Sequence, residues 1–194
     1  MRLVLATHNP GKLTELRVLL RPMAIELVEA GALGLAVPDE TGEGYVENAT
    51  IKAIAAATAS GAAALGDDVG LAVAVLGGAP GIHTARYTEQ HGGVAAACAE
   101  LAAQTGLLAT PTPEVRAALC CALVLADADG VVAVAESEIP GRLRWPPGDA
   151  PGLAAMFEPD PPHVLVDGGA LVHRRVAFER LVPALRTALE ARGQ

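Results

Sequence analysis

Arg2-Leu-Val-Leu-Ala6, Thr7-His-Asn-Pro-Gly-Lys12 and the leucines that follow at 13, 16, 19 and 20 decide the reading of the fold. A short apolar run ends in a polar turn, and leucines then recur at helical spacing, so strand, turn and helix follow one another. Ile25 to Val28 reads as a second strand. The loop after it carries Pro38-Asp-Glu-Thr-Gly-Glu-Gly44, and an alanine-rich helix is expected from Tyr45 to Ser60. Gly66-Asp-Asp-Val-Gly70 then precedes a strand expected over Leu71 to Leu76, a turn over Gly77 to Gly81 and a helix over Gly92 to Thr105. From Arg116 the pattern changes. Ala117 to Ala126 and Val131 to Glu138 are strand-like runs flanking Asp127-Ala-Asp-Gly130, which predicts a β-hairpin. Pro140 to Pro162, dense in Pro and Gly, is expected to be an irregular connection. Arg174 to Arg192 is expected to close the chain as an amphipathic helix, with Pro183 uncomfortable inside it. Alternating strands and helices followed by a hairpin predict an α/β fold with a mixed sheet.

The 194 residues are 52% hydrophobic and 19% charged, with Phe, Trp and Tyr together at 3%, so the core is expected to be tight packing of small aliphatic side chains. A chain of this size can bury roughly 70% of its unfolded surface, and one domain over residues 1–194 is expected. That composition excludes disorder. No apolar run approaches the roughly 18 residues of a membrane span. The apolar stretch at the N-terminus is too short for a signal-peptide core, so a cytoplasmic protein is expected. A net charge of −8 with only 14 basic residues disfavours a nucleic-acid partner. A small anionic substrate then needs local Lys and Arg, or a metal, to offset the global sign. Cys98, Cys120 and Cys121 form no CxxC motif and read as buried reduced thiols.

Three constellations carry candidate chemistry. Thr7, Asn9 and Lys12 occupy the strand-to-helix turn, where Asn9 suits an N-cap and Pro10 the first helical position. Lys12 opposes the helix dipole unless an anion sits there or Glu15 neutralises it, so the turn is a candidate phosphate site, although it lacks the Walker A spacing. Asn48 and Lys52 lie one turn apart on one helix face. Asp67 and Asp68 are adjacent carboxylates, which repel unless they share a cation or diverge; they suit Mg²⁺, and Asp and Gly are also ordinary turn residues. Asp39 and Glu40 offer further carboxylates to the same ion.

In order and spacing, these residues resemble the inosine triphosphate pyrophosphatase family. The resemblance is carried by Thr7 to Lys12, Glu40-Thr-Gly42, Glu47-Asn-Ala49 with Lys52, Asp67-Asp68 with Gly70-Leu-Ala-Val73, and Leu76 to Ile82 followed by Ala85-Arg-Tyr87. It is continuous from residue 3 to about 90. It implies a mixed twisted sheet flanked by helices with a nucleotide cleft, a homodimer, and hydrolysis of inosine, deoxyinosine and xanthosine triphosphates to monophosphate and pyrophosphate. By the same resemblance Thr7, Asn9 and Lys12 hold the triphosphate and Lys52 reaches it. Asp68 accepts a proton and binds Mg²⁺, with Asp39 or Glu40, and Asp67 beside it, completing the metal site.

Departures from the family pattern cluster at the expected base-recognition end. Val69 stands where the family has Ser, and Pro151-Gly-Leu-Ala-Ala155 stands in place of an FGYDP-type motif, so Leu153 and Ala154 replace its aromatic and aspartate. The family's SHR motif survives as His173-Arg174 after Val172, and Gly168 replaces an expected lysine. His173 and Arg174 are therefore expected to touch the base. Loss of the stacking and polar partners predicts weakened or shifted base selectivity, or a nucleotide-binding relative without turnover. Lys12, Lys52 and Asp68, all retained, argue against that loss.

Overall fold

The computed structural model describes residues 2–23, 25–109 and 111–191. Their elements, in chain order, are β1 (Arg2–Leu5), α1 (Pro10–Leu20), β2 (Glu26–Glu29), α2 (Tyr45–Ser60), β3 (Ala63–Val73), β4 (Pro80–Gly81), α3 (Thr84–Gln90) and α4 (Val94–Gln104). They continue with β5 (Arg116–Asp127), β6 (Gly130–Leu143), β7 (Phe157–Pro159), β8 (Val166–Asp167), β9 (Ala170–Leu171) and α5 (Val172–Ala191). Arg192, the expected end of the last helix, lies outside the described residues.

The seven-stranded sheet has the order β2-β1-β3-β5-β6-β7, with β4 beside β3. It is mixed, as expected: β1 pairs parallel with β2 and β3, whereas β4 runs antiparallel to β3 and β7 antiparallel to β6. The chain divides into two compact units, one of Met1–Asp68, Cys121–Ser137 and Gly168–Gln194, the other of Val69–Cys120 and Glu138–Asp167.

In the first unit, Asn9 is extended (φ −80°, ψ 116°), and its Oδ1 accepts from the N–H groups of Gly11 and Lys12. With Pro10 as the first helical residue, the turn launches α1 directly from the end of β1. The core of this unit is built from small side chains, with Ala49, Ala53 and Ala57 of α2 against Val4, Ala64 and Ala122. Small residues let α2 approach the sheet closely, and Gly66 makes that approach possible. A Cβ placed there would lie 2.0 Å from the Ala49 carbonyl oxygen and 2.9 Å from the Ala53 nitrogen.

The second unit contains α3, α4 and the turn of 3-10 helix over Gly152–Met156, whose Leu153 to Met156 side chains are all buried. Gly148 and Arg144 donate backbone N–H bonds to Ala155 and Met156, which pins this turn.

Three sequence expectations change. The strand expected over Leu71 to Leu76 is β3, which starts eight residues earlier at Ala63, while Ala74–Leu76 is a turn of 3-10 helix. Alanines favour helix locally, but pairing of Leu3, Val4 and Leu5 with Ala63, Ala64 and Leu65 overrides that preference. Asp67 and Asp68 therefore lie inside a buried strand, not in a turn. The irregular connection from Pro140 holds the end of β6, the Gly152–Met156 turn and β7. Helix α3 gave no periodic signal because it buries none of its residues.

Candidate active site

Strand geometry separates the two aspartates. Successive side chains of β3 point to opposite faces, and each carboxylate meets its own cation: Lys12 lies 2.5 Å from Asp67 Oδ1, and Lys52 lies 2.8 Å from Asp68 Oδ1. Of the arrangements open to an adjacent pair, this chain adopts divergence.

Around Asp68, Lys52 is the centre. Its Nζ donates to Asp68 Oδ1 at 2.8 Å and to Glu40 Oε1 at 3.0 Å. Lys52 reaches inward from α2 because Ala49 and Ala53 bring that helix onto β3. Glu40 is delivered by its loop, which is tied to the start of α2. Asn48, buried, accepts the Gly42 N–H at 2.9 Å, and Glu47 accepts the Gly44 N–H at 3.0 Å. Asp39, its neighbour, is exposed. Burial works against the Lys52 ammonium, yet Asp68 and Glu40 outweigh it and hold its pKa above the usual lysine value. Burial raises the Asp68 carboxyl above the ordinary carboxylate range, against the pull of Lys52 and Lys12. Asp68 Oδ2 is buried and has no hydrogen-bond partner. A carboxylate of raised basicity with one uncommitted oxygen suits proton acceptance.

Around Asp67, the arrangement is closed. Burial would raise this carboxyl, but the Arg174 guanidinium and then Lys12 carry it well below the usual range. Both of its oxygens contact cations, Oδ2 at 2.8 Å from Arg174 Nε. Asp67 is thus held in an internal ion pair with Arg174 and Lys12. Glu15 does not neutralise Lys12; its Oε2 lies 2.6 Å from Arg174 Nη1 and accepts the Leu171 N–H at 2.7 Å.

The strand-to-helix turn is also more committed than its sequence suggests. Thr7 Oγ1 accepts the Asn9 N–H at 3.2 Å, and Asn9 Oδ1 already serves the first helical N–H groups. Attraction for an anion here rests on the Lys12 ammonium, whose side chain is 18% exposed.

His173 and Arg174, expected at the base, are both buried, at 2% and 1% exposure. The His173 carbonyl accepts from Ser137 Oγ at 2.5 Å, while its Nδ1 has no partner. Burial, reinforced by Arg174, carries its imidazole pKa down from 6.5 to about 3. Because the folded value lies below the unfolded one, unfolding takes up a proton between those limits. Stability is therefore lost as pH falls from 6.5 towards 3, at about 1.4 kcal/mol per pH unit. His173→Gln should remove this component while leaving the aspartates to titrate as before. In urea unfolding of the two proteins between pH 6.5 and 4.5, the parent should lose stability faster as the pH falls; parallel profiles would count against a buried neutral imidazole.

Val69 is partly buried in the second unit, where Leu153 and Ala154 are core residues. Among the site residues, sequence reasoning missed the roles of Glu15, Asn48 and Glu47 as anchors. Glu47 stands three residues after Gly44, a helix-start spacing that carries a signal. The Glu15–Arg174 contact spans too much chain to leave one.

A family model described as the Ham1 family matches residues 3–162. A dITP/XTP pyrophosphatase of Rhodopseudomonas palustris is 47% identical over 153 residues, 78% of this chain and 73% of that protein. One of Streptomyces coelicolor is 40% identical over 201 residues, covering 97% and 98%. The structure of a HAM1 protein from Coxiella burnetii superposes with a TM-score of 0.79 at 27% identity, covering 96% of this chain and 99% of that one. A nucleoside-triphosphatase, dITP/XTP pyrophosphatase, from Mycobacterium abscessus superposes with a TM-score of 0.64 at 33% identity, covering 97% and 98%.

Proposed function

The chain belongs to the Ham1 family, and from that premise we propose that it is a pyrophosphatase of non-standard purine nucleoside triphosphates. It hydrolyses deoxyinosine, inosine and xanthosine triphosphates to the monophosphate and pyrophosphate. The carrying observation is the buried Lys52 bridging Asp68 and Glu40, with Asp68 Oδ2 uncommitted. Water attacks a phosphoryl group efficiently when the charge of the triphosphate is neutralised and a base stands beside the water. Lys12 and Lys52 supply cations, and Asp68 Oδ2 accepts the proton.

Magnesium belongs to this reading as the cofactor. No group of three or more His, Cys, Asp or Glu among the described residues is placed to hold a metal unaided. Mg²⁺ is commonly held by one or two carboxylates together with substrate phosphates, and the orphaned Asp68 oxygen fits that pattern. Asp68 with Glu40 would hold it, Glu40 in preference to exposed Asp39. When bound, the metal supplies positive charge to the phosphate oxygens. A homodimer and a cytoplasmic location complete the reading; no helix among the described residues is long and apolar enough to cross a membrane.

A coupled assay for pyrophosphate with and without chelator tests the reaction. Pyrophosphate should be released, and only with Mg²⁺ or Mn²⁺ present; orthophosphate as the product would overturn the reading. A shifted base preference is favoured by Leu153 and Ala154 at the positions of the expected aromatic and aspartate. The same assay should give inosine over adenosine triphosphate a kcat/KM preference eroded by about 100-fold relative to a fully hydrogen-bonded pocket, which discriminates by about 10⁴. A preference above about 10³ would place base recognition on other residues.

A further inference from the structure

Arg174 is the largest fully buried side chain among the described residues. Its Nε donates to Asp67 Oδ2 at 2.8 Å, and its Nη1 lies 2.6 Å from Glu15 Oε2. Asp67 holds Lys12 at 2.5 Å through its other oxygen. Lys12 and Glu15 are three residues apart and share a face of α1. The four side chains therefore form a neutral chain of two cations and two anions, Lys12–Asp67–Arg174–Glu15, that links α1, β3 and α5. Lys12 is its most exposed member.

A Lys12–Asp67 pair alone would make a poor phosphate site. A buried carboxylate with one counter-ion draws that ion inward, and surrendering it to a ligand would leave an unpaired charge in the interior. A second cation removes the conflict. We propose that Arg174 is a positioning residue which, by holding Asp67 Oδ2, takes over the neutralisation of Asp67 and frees the Lys12 ammonium to engage substrate phosphate. Glu15 holds the guanidinium from its other side. Anchored also by the Leu171 N–H, it fixes the planar fork so that Nε stays on Asp67. Arg174 thereby acts on the triphosphate end of the substrate through Asp67 and Lys12.

The inference rests on Lys12 being a phosphate ligand, and the test separates the two claims. Inorganic tripolyphosphate, which has no base, is titrated calorimetrically in chelator into the parent, Lys12→Ala, Arg174→Met and the double variant Arg174→Met/Asp67→Asn. Both single variants should weaken binding by about tenfold or more. Removing the carboxylate that would otherwise clamp Lys12 should return the double variant to within about threefold of the parent. A merely structural role for Arg174 predicts no such recovery. Parent-like binding by Arg174→Met beside weak binding by Lys12→Ala overturns this proposal alone, as does a double variant that stays weak. Parent-like binding by Lys12→Ala overturns the phosphate reading on which it stands. If Arg174→Met does not fold, Arg174→Lys replaces it: one ammonium cannot span both Asp67 and Glu15, so binding should fall by about threefold or more and recover with Asp67→Asn. Unchanged binding in that variant overturns the proposal.

Discussion

Asp68→Asn should lower kcat for triphosphate hydrolysis by about 100-fold or more, the scale of a missing general base. Asparagine preserves the shape of the side chain and can still accept from Lys52 through its carbonyl oxygen, while Lys52 keeps Glu40 at 3.0 Å. The variant is therefore expected to fold, with the loss confined to proton transfer and to the charge offered to a metal. The pH profile gives a second readout. Burial raises the Asp68 carboxyl above its ordinary value, so kcat in the parent should rise with pH as that group deprotonates. The asparagine variant should lack this limb. A kcat within about tenfold of the parent would assign the proton to another group.

Gly66→Ala should be the most damaging single methyl in the molecule's first unit. The added Cβ would fall 2.0 Å from the Ala49 carbonyl oxygen and 3.0 Å from its carbon. Both are main-chain atoms of a packed helix, so no side-chain rotation relieves the overlap, and α2 has to lift from β3. A cost of about 3–5 kcal/mol is expected, at the upper end of overpacking and a large share of a typical domain's stability. Denaturant unfolding should show a lower midpoint at an unchanged slope. Activity should fall with it, since lifting α2 withdraws Lys52 from Asp68. A midpoint shift worth less than about 0.5 kcal/mol would mean that the helix yields freely.

Much of this protein was legible in its sequence because the relevant forces are local. Asn9 and Pro10 announce the start of α1, since a cap and a fixed φ act within one turn. The alanines of α2 and its bounds at Tyr45 and Ser60 follow from composition and spacing, and Asp127 to Gly130 marks its hairpin. The ordered motifs up to about residue 90 pointed to the family whose model matches residues 3–162. Tertiary structure decided the rest, wherever a residue's state depends on partners distant in sequence. Pairing with β1 turned Ala63 to Gly66 into strand and moved Asp67 and Asp68 from a turn into the interior. Once buried on opposite faces, the two carboxylates had to be neutralised separately, and the cations that do so come from α1, α2 and α5. Arg174 lies 107 residues from Asp67. No periodicity links such positions. Only the fold brings them within 2.8 Å, and only burial, by removing water from the carboxylate, makes that contact obligatory.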